Sequence, residues 1–157
     1  MTIFGKRLSE YVAFCSMFLG IILVVGIARF ALSIGGAPNS LAKWVSISGA
    51  VLIGTVFYAI RVRSTGFGSY KQLLPIVFLM QGAVAQTIIC IAIMVAIFTG
   101  HENIYSAPEY GGGGNQWAHI IAHLTLGAIV GTLIVWLVGC VIMFVYGKVA
   151  GSRGSRV

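Results

Sequence analysis

Residues 12–28 are 17 consecutive apolar or small side chains, and three further stretches of the same character follow along the chain. A helix needs about 20 such residues, with a range of roughly 17–25, to cross the hydrocarbon of a bilayer. Runs 11–34, 43–60, 73–99 and 117–146 all meet that length. In hydrocarbon no water satisfies backbone N–H and C=O groups, so such a run must satisfy them within its own helix. The expected fold is therefore an all-α integral membrane protein, one domain of four transmembrane helices. Short turns between the runs favour an antiparallel up-down-up-down bundle.

Composition excludes the alternatives. Of 157 residues, 59% are hydrophobic and 8% charged, and the mean hydropathy is +1.00. A soluble domain carries roughly 25% charged residues. A soluble enzyme and a nucleic-acid-binding domain are ruled out on that ground, and the apolar content rules out disorder. The four runs leave no length for a separate soluble domain. The first run exceeds the roughly 7–15 residues of a signal-peptide core and no clean cleavage site follows, so it reads as a retained span.

Charge placement orients the bundle. Ten Lys and Arg face three acids, Glu10, Glu102 and Glu109. Lys6, Arg7, Arg61, Arg63, Lys71, Lys148, Arg153 and Arg156 fall on one side of a four-span path; Arg29 and Lys43 fall on the other. Basic residues mark the cytoplasmic side. Both termini are thus expected in the cytoplasm, with the Gly-rich 100–116 loop outside and 147–157 a basic, flexible tail. The membrane would be the plasma membrane, or the inner membrane of a bacterium. The basic residues suit anionic headgroups, and the partner they imply is the lipid bilayer, with no nucleic acid. Cys15, Cys90 and Cys140 each sit inside an apolar run without a CxxC pair, so they read as small buried hydrophobes.

Small residues predict where helices meet, because association in lipid depends on close backbone approach. Gly127, Gly131 and, two steps on, Gly139 lie at four-residue spacing in the fourth run, and Ser46, Ala50 and Gly54 do so in the second. Such stripes serve equally a contact inside one bundle or a contact between protomers. His119 and His123 begin the fourth-run stripe, so they are expected to face a neighbouring helix. Gln81 and Gln86, five apart, stand about 140° apart around an α-helix and are expected on different faces, each a candidate for bonding across helices.

The helical rise of about 1.5 Å per residue puts His119, His123 and Arg29 within about 3–9 Å of the outer interface. Lys43, Ser46 and Ser48 start the second run at a similar level, and the loop above adds His101, Glu102, Tyr105, Glu109 and Tyr110. Ionisable groups at membrane depth are functional candidates. The i, i+4 pair His119/His123 has the spacing of helical metal sites, although the Glu of HExxH is missing. His101, Glu102 and Glu109 would have to complete a metal shell, and a haem would need His101 opposite. The bland alternative is a pair of interfacial histidines bonded to loop carbonyls. Arg29 would snorkel to headgroups, pair with Glu102 or Glu109, or contact an anion or quinone headgroup. The tetraglycine 111–114 lacks the Lys-Ser/Thr of a phosphate loop and reads as a hinge that folds the outer loop over the bundle as a lid or docking segment.

No acid lies within a span, which argues against a carboxylate-driven proton transporter, and three histidines are too few for a membrane di-iron oxygenase. Two readings follow. The chain is a small non-catalytic subunit of a membrane complex or homo-oligomer that shapes a transport path. Alternatively, it is a redox protein holding a transition metal, haem or quinone at the outer face through Arg29, His119 and His123.

Overall fold

The computed structural model describes residues 2–154, with side chains through residue 150. Of the basic tail, residues 155–157 with Arg156, and the side chain of Arg153, lie outside the described residues. Helix α1 (Leu8–Ile34) leads through the short α2 (Asn39–Ala42) into α3 (Ile47–Ser64). The third span is α4 (Tyr70–Val77), a π-helical stretch Phe78–Ala85 and α5 (Gln86–Thr99). The fourth is α6 (Gln116–Ala122), a second π-helical stretch His123–Val130 and α7 (Gly131–Gly154). Four helical segments, Leu8–Ile34, Asn39–Ser64, Tyr70–Thr99 and Gln116–Ala150, are long and apolar enough to cross a membrane.

Polar neighbours cap the starts of the long helices, and α3 begins at Ile47, four residues inside the run that opens at Lys43. The Glu10 carboxylate accepts from the Arg7 N–H at 2.7 Å and starts α1. Ser46 Oγ accepts from Gly49 N at 3.1 Å at the head of α3. Gln72 Oε1 accepts from Ser69 N at 2.8 Å at α4, and Asn115 Oδ1 accepts from Trp117 N at 3.0 Å at α6. These bonds satisfy N–H groups that a helix leaves unpaired at its start. At its other end the fourth helix runs through Gly154, into residues expected as a flexible tail.

The two π stretches pack against each other, and they change which side chains meet. A π turn closes on the fifth residue rather than the fourth. Gln81 and Gln86, which straddle the end of the first stretch, therefore both reach the fourth span, contrary to the 140° separation of a regular α-helix. A Cβ added at Gly127 would sit 2.7 Å from Gln86 Oε1, and one at Gly131 would sit 3.0 Å from Gln81 Nε2. Further along, a Cβ at Gly139 would meet Leu73 at 2.8 Å and Thr55 at 3.0 Å, and one at Gly54 would meet Phe18 at 2.7 Å. Ala50 is buried in the core and Ser46 serves as the α3 cap. The small-residue stripes are thus filled within one chain and lend no weight to self-association.

The bundle has two distinct ends. At one, a two-residue hairpin turns through Phe4 (φ 48°) and Gly5 (φ 84°) between strands β1 (Thr2–Ile3) and β2 (Lys6–Arg7). It is held by Gln72 Nε2 donating to the Phe4 carbonyl and by Tyr11 Oη donating to the Ile3 carbonyl. At the other end the 100–115 loop lies across the helices and buries Asn103–Ala107. Asn103 Nδ2 donates to the Ala92 carbonyl at 2.8 Å, and the Ile104 N–H donates to Ser33 Oγ at 2.8 Å. The lid expected from the sequence is folded down, and Gln116 Nε2 clasps its glycine end by donating to the Ser106 and Gly112 carbonyls.

Candidate polar pocket at the loop-covered end

Beneath that loop Arg29, Ser48, Tyr105, Tyr110 and His123 line a cavity of about 150 Å³, walled elsewhere by Ile47, Ile89 and Ile104. All four long helical segments and the loop contribute. Arg29 enters from the last turns of α1, its guanidinium carbon 5.0 Å from the centroid of the Tyr105 ring and 5.6 Å from that of Tyr110. Electron-rich ring faces hold a cation in this way when water is scarce. The pairing with Glu102 or Glu109 expected from the sequence does not form. Glu109 instead accepts from Asn39 Nδ2 at 2.7 Å, and Glu102 lines a separate cavity with His101, Phe30, Ser33 and Thr99. Arg29 Nε is buried with no hydrogen-bond partner. Burying a donor without a partner costs about 1–3 kcal/mol, and the Arg29 side chain still brings its positive charge to the lining of the cavity.

Two loop groups outside the spans have altered acidities. Burial pushes the Tyr105 phenol up to about 12, with Arg29 opposing it, so the ring facing Arg29 is neutral at physiological pH. The Asn39 amide, helped by the Glu109 backbone N–H, holds the Glu109 carboxyl below its ordinary range.

The histidines continue the wall into the bundle. His123 Nδ1 lies 2.7 Å from Gln86 Oε1, and His123 Nε2 lies 3.1 Å from His119 Nε2. Gln86 is 4% exposed, so its carbonyl has no water to fall back on. With that carbonyl as acceptor, His123 carries its proton on Nδ1 and presents a lone pair at Nε2. His119 then donates from Nε2, and its Nδ1 is left as a buried nitrogen with no partner. Gly111 closes the far side: a Cβ there would come within 3.3 Å of His119 Nε2, and its φ of +98° already favours glycine. The histidine rings meet each other and a buried side chain of the third helical segment instead of the loop carbonyls of the bland expectation.

Of the polar layer expected from the sequence, Arg29, Ser48 and His123 meet in one cavity and His119 joins through His123. Lys43 lies against Trp44, and Ser46 is spent on its cap. The metal shell is not assembled: among the described residues, no group of three or more His, Cys, Asp or Glu side chains is placed to hold an ion. The sequence reading gave Gln86 no part in the site, since its role depends on a π stretch that leaves no mark in an apolar helix. No family model matches the chain, and neither a curated protein nor a solved structure matches it.

Proposed function

We propose that the protein is a four-span integral membrane protein with antiparallel helices and both termini in the cytoplasm. In this reading its outer end binds a lipid-soluble ligand by a ring-sized headgroup bearing hydrogen-bond acceptors. The observation that carries the reading is the pocket under the 100–115 loop, with the Arg29 guanidinium held in its lining against Tyr105 and Tyr110. About 150 Å³ is room for one benzene-sized ring. The isoleucines and tyrosines offer that ring flat apolar contact, while Arg29 and Ser48 offer donors to carbonyl or carboxylate oxygens. Quinones and aromatic acids both have this chemistry.

Lipid as the solvent of the four helices is supported by the outward apolar side chains, among them Val24 at 65%, Leu126 at 63% and Val141 at 63% exposure. Faces of this kind are aggregation liabilities in water. The orientation is supported by the basic residues, which gather at the hairpin end, whereas the loop-covered end carries Arg29 and Lys43. The ligand-binding role is non-catalytic. No carboxylate or thiol lines the pocket, and the redox reading would need only that the ring held there be a quinone.

Equilibrium dialysis of a short-chain benzoquinone against the protein in lipid nanodiscs tests the reading. Protein-dependent binding that falls about tenfold or more in Arg29→Gln, the worth of a hydrogen bond from a charged donor, supports it. Binding no greater than to empty nanodiscs refutes it.

A further inference from the structure

Arg29 brings a full positive charge into a pocket whose wall contains no carboxylate. Around the histidine pair the same holds. Arg29 faces His123 across the cavity from α1, Tyr105 and Tyr110 face it from the loop, and α3 contributes the uncharged Ser48. The third span presents the uncharged Gln86, and the Cys90 thiol points at the Ile120 carbonyl 3.9 Å away. Glu109 is held on Asn39, and Glu102 lies in another cavity. The site is thus a cation with no counter-charge, beside two imidazoles joined nitrogen to nitrogen.

We propose that the pocket takes its ring-sized ligand as an organic anion of the aromatic carboxylate class, and that the His119–His123 pair takes up one proton as the anion binds. The proposal rests on the ligand-pocket reading above and adds the charge of the ligand and the coupled proton. The contact between the two rings carries the transfer. A proton adds to the unpartnered lone pair of His119 Nδ1. As it does, the His119 Nε2–H bond breaks and a His123 Nε2–H bond forms across the 3.1 Å contact. His119 ends neutral with its proton on Nδ1. His123 ends as an imidazolium, donating to Gln86 Oε1 from Nδ1 and to His119 Nε2 from Nε2. One proton is gained and no electrons move. The new charge appears on the ring that lines the pocket, where an anion beside Arg29 stabilises it. Imidazole is the side chain suited to gain that charge between about pH 5 and 8. By reciprocity, the anion favours the protonated pair as much as the proton favours the anion.

Isothermal calorimetry of benzoate binding to the full chain in nanodiscs, run in two buffers of different ionisation enthalpy, reads the proton directly. The wild type is expected to take up about one proton per benzoate. Its affinity should tighten by up to about tenfold for each pH unit lowered toward the acid side, the limit for one linked proton. The double variant His119→Gln/His123→Gln, with both imidazoles gone, should bind benzoate without proton uptake and with a flat pH profile, and Arg29→Gln should weaken benzoate about tenfold or more. Benzoate binding to the wild type with no proton uptake overturns the coupling. Benzamide, the neutral isostere, binding as tightly as benzoate overturns the anion while the pocket stands. Failure of both probes and of the benzoquinone removes the pocket reading as well. The wild-type measurement decides the coupling alone if a variant does not fold.

Discussion

His123 Nδ1 meets Gln86 Oε1 at 2.7 Å, and Gly127, four residues beyond His123, leaves the space in which that amide sits. The pairing links two spans through one buried polar contact. A carbonyl acceptor on one ring nitrogen fixes the tautomer, and with it the direction of the bond to His119. In a low-dielectric setting such a bond is costly to leave half-made. Gln86, Gly127 and His123 therefore work as a unit, and each can be tested separately.

The tautomer comes first. Nitrogen-15 spectra of the labelled protein in nanodiscs should show His123 with its proton on Nδ1 when neutral. In Gln86→Leu that preference should disappear, with a loss of stability of about 1–3 kcal/mol for the donor left unpartnered. Unchanged His123 signals in Gln86→Leu would show that the amide does not set the tautomer.

The glycines make a matched pair. Gly127→Ala places a methyl group against Gln86, whose amide cannot swing away without breaking its bond to His123. Overpacking of this kind costs about 1–3 kcal/mol. Gly20 sits on an exposed face of α1, where an added Cβ meets nothing within 4 Å. Gly20→Ala should leave stability unchanged or raise it by up to about 1 kcal/mol. Unfolding in mixed micelles measures both, and equal effects of the two substitutions would contradict the packing described.

Acid should loosen the loop through Glu109. Its carboxyl is held below the ordinary 4.5 chiefly by the Asn39 amide. A group whose folded value is depressed adds stability above its unfolded value and loses it as pH falls through the folded one. Amide protection in the 100–115 loop, taken relative to the intrinsic exchange rate at each pH, should therefore fall as pH drops below about 4.5, with the Glu109–Asn39 contact opening. Asn39→Ala should bring the Glu109 carboxyl back up toward its ordinary value, read by carbon-13 titration.

The apolar runs made the four helices legible, because nothing else accounts for stretches of that length in a chain with so little charge. Helix ends were less legible. Hydropathy marks only where residues are apolar, whereas the capping bonds at Ser46, Ser69 and Asn115 decide where each helix starts. The stripe at Gly127 and Gly131 announced a close contact but not its partner. Gln86 and Gln81 supply it, and they reach it only because a π stretch rotates them together. In a helix that is apolar all round, such a stretch shifts no periodic pattern. Arg29 was legible as a polar residue at membrane depth, yet its neighbours were not. The fold of a glycine-rich loop, which lays Tyr105 and Tyr110 against it and ties Glu109 to Asn39, has no spacing signature.

The central claim is that lipid surrounds four helices and that the pocket end faces outward. Single cysteines at Gly114, where an added side chain meets nothing within 4 Å, and at the exposed Ser64 on the opposite connector report on it most directly. In intact cells expressing each variant, a membrane-impermeant maleimide should label Gly114→Cys at once and Ser64→Cys only after permeabilisation. Ser64→Cys labelled in intact cells, with Gly114→Cys protected, would invert the bundle and contradict the account.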